Sequence, residues 1–169
     1  MGKRIVFSFI CLTLAVFSAC NEAELTNWVQ ITEEVSVLMP EEVKKTESEG
    51  TVMYLSAIES TNLAVAVVTD QSLEAGGIDQ HLAAMEINVT RFLQPRDGKL
   101  LHRKDTVING LAACNFDFEI GTAESSKYGV GRFIVKGNHF IGFLAENDKP
   151  ESKINETLRE SFFNSIQLN

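Results

Sequence analysis

The 169 residues are 44% apolar and 22% charged, which is enough apolar material for one packed core and too little chain for several domains. Fifteen Lys and Arg stand against 23 Asp and Glu, a net charge of −8. That balance leaves no basic footprint for nucleic acid and disfavours electrostatic docking on anionic lipid headgroups; its plainest role is to keep the protein soluble.

Lys3 and Arg4 open the chain, Ile5 to Phe17 is an apolar run broken only by Ser8 and Thr13, and Ser18 and Ala19 are small. This is the charged, apolar, small-residue order of a secretory signal, and the run is shorter than the ~20 residues of a spanning helix. Phe17-Ser18-Ala19-Cys20 resembles the lipobox of bacterial lipoproteins, with Phe where Leu is commonest. The resemblance implies cleavage before Cys20, acylation of that cysteine and anchoring to a membrane of the cell envelope, inner or outer. A single acyl chain binds only marginally, and the resemblance implies three on the mature cysteine. Two alternatives stand beside it. An ordinary signal cleaved after Ala19 fits less well, because it needs a small residue at position 17; the other is an uncleaved anchor. On the lipoprotein reading, 1–19 is the signal, 20–27 a short polar tether and 28–169 the folded domain. Losing Lys3 and Arg4 with no acid takes the net charge to −10. Cys11 leaves with the signal and Cys20 takes lipid, so Cys114 stands alone and the core must hold without an intramolecular disulfide.

The elements follow in order. Residues 28–31 and 35–39 predict two short strands, the second stopped by Pro40, and 43–46 a short edge strand. Residues 51–58 and 62–69 predict a hairpin around Glu59-Ser60-Thr61. In the second arm Leu63, Val65 and Val67 face one way and Ala64, Ala66 and Val68 the other, so a central strand covered on both sides is expected. Ile78, Leu82, Met85, Val89 and Phe92 then recur at helical spacing, after Gly76-Gly77 and before Pro95 and Gly98. Asn109-Gly110 fits a tight turn joining strands at 99–108 and 111–120. The second of these alternates, with Ala112, Cys114, Phe116, Phe118 and Ile120 on one side and Ala113, Asn115, Asp117 and Glu119 on the other. Gly137-Asn138 joins strands at 128–136 and 139–145. A last helix is expected with Asp148 as cap, Pro150 in the first turn, Glu151 in the capping box, and Ile154, Leu158, Phe162 and Ile166 as its stripe, widened by Phe163.

Strands, helix, four strands, helix predict an α+β fold: a mainly antiparallel sheet with two helices packed on it. The order resembles the PsbP-like α/β/α sandwich of an oxygen-evolving photosystem subunit, a Ran-binding nuclear-import factor and small bacterial envelope proteins. Three local features carry the resemblance: Val35-Ser36-Val37-Leu38-Met39-Pro40, Val107-Ile108-Asn109-Gly110-Leu111-Ala112-Ala113, and the terminal stretch 158–168. It implies a protein-binding role and brings no catalytic residues; fold analogy is a weak warrant for function.

The residues themselves nominate no catalytic, cofactor-binding or metal-ligating group. Cys114 lies on the apolar side of its strand, as a small core hydrophobe does. His81, His102 and His139 fall on three different elements without ligand spacing. The Glu33-Glu34 and Glu41-Glu42 pairs read as solvated surface. Gly129-Val130-Gly131 lies within a strand, so it marks a bulge or a close approach rather than a phosphate cradle. Asn88-Val89-Thr90 and Asn155-Glu156-Thr157 match the N-glycosylation pattern by chance. Trp28, just past the tether, is expected to cap the edge of the core, with a partner- or membrane-facing anchor as the alternative. The leading expectation is a non-enzymatic, lipid-anchored envelope protein that binds or supports another protein through no cofactor. The alternative is a carrier of a small apolar ligand, held between helix and sheet.

Overall fold

The structure is a computed structural model and describes residues 25–48, 50–122, 126–147 and 156–169. The signal, Cys20, residues 21–24 of the tether, the cap residues Asp148, Pro150 and Glu151, Ile154 and Asn155 lie outside the described residues.

Among the described residues ten strands and two α-helices follow one another: β1 (Asn27–Thr32), β2 (Val35–Met39), β3 (Lys44–Ser48), β4 (Thr51–Ile58), β5 (Thr61–Thr69), α1 (Ile78–Leu93), β6 (Lys99–Ile108), β7 (Leu111–Ile120), β8 (Lys127–Lys136), β9 (His139–Asn147), α2 (Glu156–Asn164) and β10 (Gln167–Leu168). This is the expected α+β order. Asn109 and Gly110 take φ of 51° and 80°, the left-handed pair that the β6–β7 turn requires. α1 runs into a single 3₁₀ turn at Gln94–Arg96 and ends where Asp97 turns left-handed, with Gly98 N–H donating to Leu93 O (2.9 Å).

The main sheet has seven strands in the order β3-β4-β5-β9-β8-β7-β6, every neighbour antiparallel. Two hairpin systems thus join along the β5–β9 seam, where Leu63 pairs with Ala145 and Val65 with Phe143. β1, β2 and β10 form a separate three-stranded sheet that the sequence did not announce. The C-terminus is tied into it: Gln167 and Leu168 pair with Ser36 and Val35, and Asn169 N–H donates to Glu34 O (2.8 Å).

One face of the main sheet packs against the small sheet and α2. Val35, Val37, Met39, Leu63, Val65, Ile134, Ile141, Phe143 and Phe162 are fully buried there. The other face carries α1, which rests on β7 and reaches β6. Its buried stripe is Met85, Val89 and Leu93, with Leu82 and Phe92 half-buried at the flanks and Ile78 exposed. The expected stripe is rotated toward Leu93, and the helix lies on a bed made largely of rings. Phe92 meets Phe118 edge-on at 5.2 Å between centroids, and Phe116 packs against Phe133 at 4.7 Å.

The bed explains Gly129-Val130-Gly131. β8 has no bulge against β7: Phe118 pairs with Gly129 and Phe116 with Gly131 in unbroken register. Each ring lies over its glycine, so a Cβ on Gly129 would stand 2.1 Å, and one on Gly131 2.3 Å, from ring carbons. Gly142 lies beneath Phe133 in the same way, at 2.9 Å.

Two expectations are corrected. β5 is covered on one side only: Leu63, Val65 and Val67 are buried, whereas Ala64 and Ala66 are half-exposed and Val68 is 39% exposed. The helix that was to cover them sits over β6–β8 instead. Trp28 does not cap the core; it points away from the small sheet's buried side and is 49% exposed, while Val29 and Ile31 turn inward.

The packing predicts a graded stability series. Gly131→Ala should lose about 1–3 kcal/mol, because the Phe116 ring must leave its place. Phe162→Ala should lose about 3–5 and Met85→Ala about 2–5 kcal/mol, with Leu82→Ala milder than Met85→Ala. Glu160→Ala on the surface should stay within about 0.5 kcal/mol. Urea denaturation of the folded domain measures all five; equal midpoints for Gly131→Ala and Glu160→Ala would refute the ring-over-glycine packing.

Candidate functional site

Two surface features stand out from the packed body. The first is a charged cleft of about 340 Å³ on the α2 side of the sheet, at the β6–β7–β8 end. Its floor is Asn115, Asp117, Val130 and Arg132; His102 and Lys104 of β6 form one wall, and Glu156, Arg159, Glu160 and Phe163 of α2 the other. The helix spacing accounts for the second wall: Arg159 and Glu160 follow Glu156 by three and four residues, and Phe163 follows them by four and three, next to the stripe that buries Phe162. Asn115 and Asp117 belong to the polar side of β7, which alternation alone assigns to solvent.

Arg132 is the centre of the cleft. Its neighbours in β8 are apolar, and the side chain is half-buried. Nε–H donates to Asn115 Oδ1 (2.7 Å) and Nη1–H to the carbonyl of Phe163 (3.0 Å), whose ring lies 5.3 Å from the guanidinium carbon. Both hydrogen-bond acceptors are neutral. Burial, and then the nearby Arg159, hold its pKa below the usual arginine value. Arg159 itself reaches Asp117 at 3.6 Å and Glu156 at 3.7 Å, loose pairs at the surface.

The second feature is the half of the sheet face beside α1 that no other element among the described residues covers. The pairing puts Met53, Leu55 and Ala57 of β4, Ala64, Ala66 and Val68 of β5 and Leu144 of β9 on that face. Met53 is 37% exposed, and Leu55, Ala64, Ala66 and Leu144 are half-exposed. An open hollow of about 590 Å³ begins at Leu55 and Ala57 and continues along Glu41, Glu42 and Lys44. The edge strands beside this face are charged, Lys44 and Lys45 on β3 and Lys99, Arg103, Lys104 and Asp105 on β6, as edges guarded against strand addition are.

Of the residues singled out from sequence, His102, Glu41 and Glu42 border these two features and the others lie elsewhere. Cys114 is fully buried between α1 and the sheet, and burial pushes its thiol up to about 11. His81 Nε2 lies 2.9 Å from Leu73 O, His139 Nδ1 lies 3.2 Å from Thr69 Oγ1, and His102 lines the cleft; they do not converge. Among the described residues no group of three His, Cys, Asp or Glu is placed to hold a metal ion. Glu34 pairs with Lys136 at 3.4 Å, and Glu41 and Glu42 rim the open hollow. Among the described residues no helix is long and apolar enough to cross a membrane. Neither Arg132 nor Arg159 was singled out from sequence; the signal for Arg132 was a lone cation between Gly131 and Phe133 in an apolar strand.

No known family's sequence pattern matches the chain, and no curated protein matches it in sequence. Solved structures do match in fold. The solution structure of cyanobacterial PsbP (CyanoP) from Synechocystis superposes with a TM-score of 0.57 at 14% identity, over 89% of this chain and 96% of that one. The Saccharomyces cerevisiae Ran-binding protein Mog1p superposes with a TM-score of 0.52 at 8% identity, over 86% and 96%. The chain therefore has the α+β fold of the PsbP and Mog1 type, and at these identities the likeness extends to the fold alone.

The burial of Cys114 predicts slow chemistry. At pH 8 a thiol of raised pKa holds little thiolate, and α1 blocks its approach. Labelling of the native domain with a maleimide should proceed at least tenfold more slowly than in denaturant. Equal rates would show that α1 does not cover β7.

Proposed function

We propose that this chain is a lipid-anchored protein of the bacterial cell envelope, without enzymatic activity, that binds another protein through the open half of its main sheet. The observation that supports it most is that apolar face, Met53, Leu55, Ala57, Ala64, Ala66 and Val68, left open beside a helix that covers the other half. Extended contiguous apolar patches on soluble proteins commonly mark interaction sites. The charged strands on either side favour docking on the face over addition of a strand. The side chains on this face are mostly small, Ala57, Ala64 and Ala66 beside Met53 and Leu55, which leaves room for an apolar element of a partner. The anchor rests on the order Lys3-Arg4, apolar run, Ser18-Ala19-Cys20. Mog1p, of the same fold, is a Ran-binding protein, which makes protein binding a use this fold supports. A carrier of a small apolar ligand fits less well, since the charged cleft suits no such ligand and the other hollow is wide open.

The anchor and the interface are tested separately. Cys20→Ala should abolish incorporation of labelled fatty acid and move the protein from the membrane to the soluble fraction; equal labelling of both forms would refute lipidation. A photo-crosslinking residue at Met53 or Val68, in the cells that make the protein, should give a defined protein adduct that Ala66→Arg removes. The same residue at Ile87, 53% exposed on the outer side of α1, should give none. Adducts that are the same from all three positions, or that survive Ala66→Arg, would refute the interface.

A further inference from the structure

We propose that the cleft between α2 and β6–β8 is a binding site for a carboxylate, held between Arg132 and Arg159 with Lys104 at its rim. The site lies on the opposite face of the sheet from the open apolar half and does not depend on it.

The first observation is the state of Arg132. A guanidinium taken partly out of water is ordinarily matched by an acid, because burying a charge without a counter-charge is costly. Among the described residues, Arg132 is held only by an amide oxygen, a backbone carbonyl and a ring face. These contacts fix the plane of the group and use two of its five N–H donors, without neutralising it. Its neighbour in the cleft is a second guanidinium, Arg159, whose charge disfavours that of Arg132. Two like charges side by side over a cleft are stabilised by an anion placed between them.

The second observation is the cleft's size and lining, which select the kind of anion. About 340 Å³ accepts a side chain or a small acid. Asp117, Glu156 and Glu160 share the lining with Arg132, Arg159, Lys104 and His102. Such a balanced set lacks the surplus of positive charge that a polyanion such as a nucleotide needs. A carboxylate matches the planar fork of arginine with two parallel hydrogen bonds, which a monatomic anion such as chloride cannot make. Asp117 and Glu156 hold Arg159 at 3.6 and 3.7 Å, long enough for a better-placed carboxylate to displace them. The carboxylate has two possible sources: an acidic side chain or C-terminus presented by a partner protein, or a free small acid.

The test uses the full chain in detergent micelles, with the arginine Nε–Hε signals followed by NMR at constant ionic strength. Succinate should shift the Arg132 and Arg159 signals saturably, whereas succinamide and sodium chloride should not. Arg132→Gln also removes the bond to the Phe163 carbonyl and so tests folding as well as binding. Arg159→Gln and Lys104→Gln lie at the rim and are the decisive variants, each expected to weaken succinate binding at least tenfold with an unchanged melting temperature. A short peptide ending in aspartate separates the sources: tighter binding than succinate assigns the site to a partner's acid, and weaker binding assigns it to a free one. Shifts reproduced by succinamide or chloride, or unchanged in Arg159→Gln and Lys104→Gln, would overturn the proposal.

Discussion

Three phenylalanine rings reach over three glycines, and the distribution of surface and core follows from that contact. Phe118, Phe116 and Phe133 each face a glycine directly across the strand pair, Gly129, Gly131 and Gly142. A side chain at any of these positions would lift the ring out of the sheet plane. With glycine there, the rings settle low and form a broad apolar floor across β7, β8 and β9. Met85, Val89 and Phe92 of α1 pack on that floor, and Arg103 fastens the helix from the side, donating to Leu82 O at 3.3 Å and pairing with Glu86 at 3.5 Å. The aromatic area buried there is large, and aromatic side chains contribute more to a core than their number suggests.

The same arrangement leaves the rest of that face bare. A single helix about 10 Å wide cannot cover seven strands spaced about 4.8 Å apart. Because the rings draw α1 over β7, the strands β3, β4 and β5 receive no cover from it. On the opposite face the small sheet and α2 share the work, and Phe162 is sealed between β2 and the main sheet. The protein is thus closed on one side and half-open on the other. The cleft at Arg132 arises where α2 ends its contact with the sheet and its charged residues overhang β6–β8.

Much of the local structure was legible because it depends on local chemistry. The β6–β7 hairpin follows from Asn109-Gly110, the buried side of β7 from the alternation at 112–120, and the limits of α1 from Gly77 and Pro95. Long-range choices were not legible. Val68 and Leu63 look alike in sequence, and only the position of α1 decides that one is exposed and the other buried. The β5–β9 seam joins segments some 80 residues apart with no turn between them to fix the register. Asn115, Asp117, Arg132 and Arg159 come from three elements, and each alone resembles an ordinary surface residue. The fastening of Gln167–Leu168 to β2 depends on backbone pairing, which side-chain identity barely records.

The central claim is that the open half-face is occupied in the envelope. Methionine oxidation by brief exposure to hydroxyl radicals reads this directly, because Met53 lies on that face and is 37% exposed while Met39 and Met85 are fully buried. In the purified protein Met53 should oxidise readily and Met39 and Met85 hardly at all. In intact cells Met53 should be protected severalfold, and Ala66→Arg should restore its oxidation. Equal oxidation of Met53 in cells and in the purified protein would contradict the account.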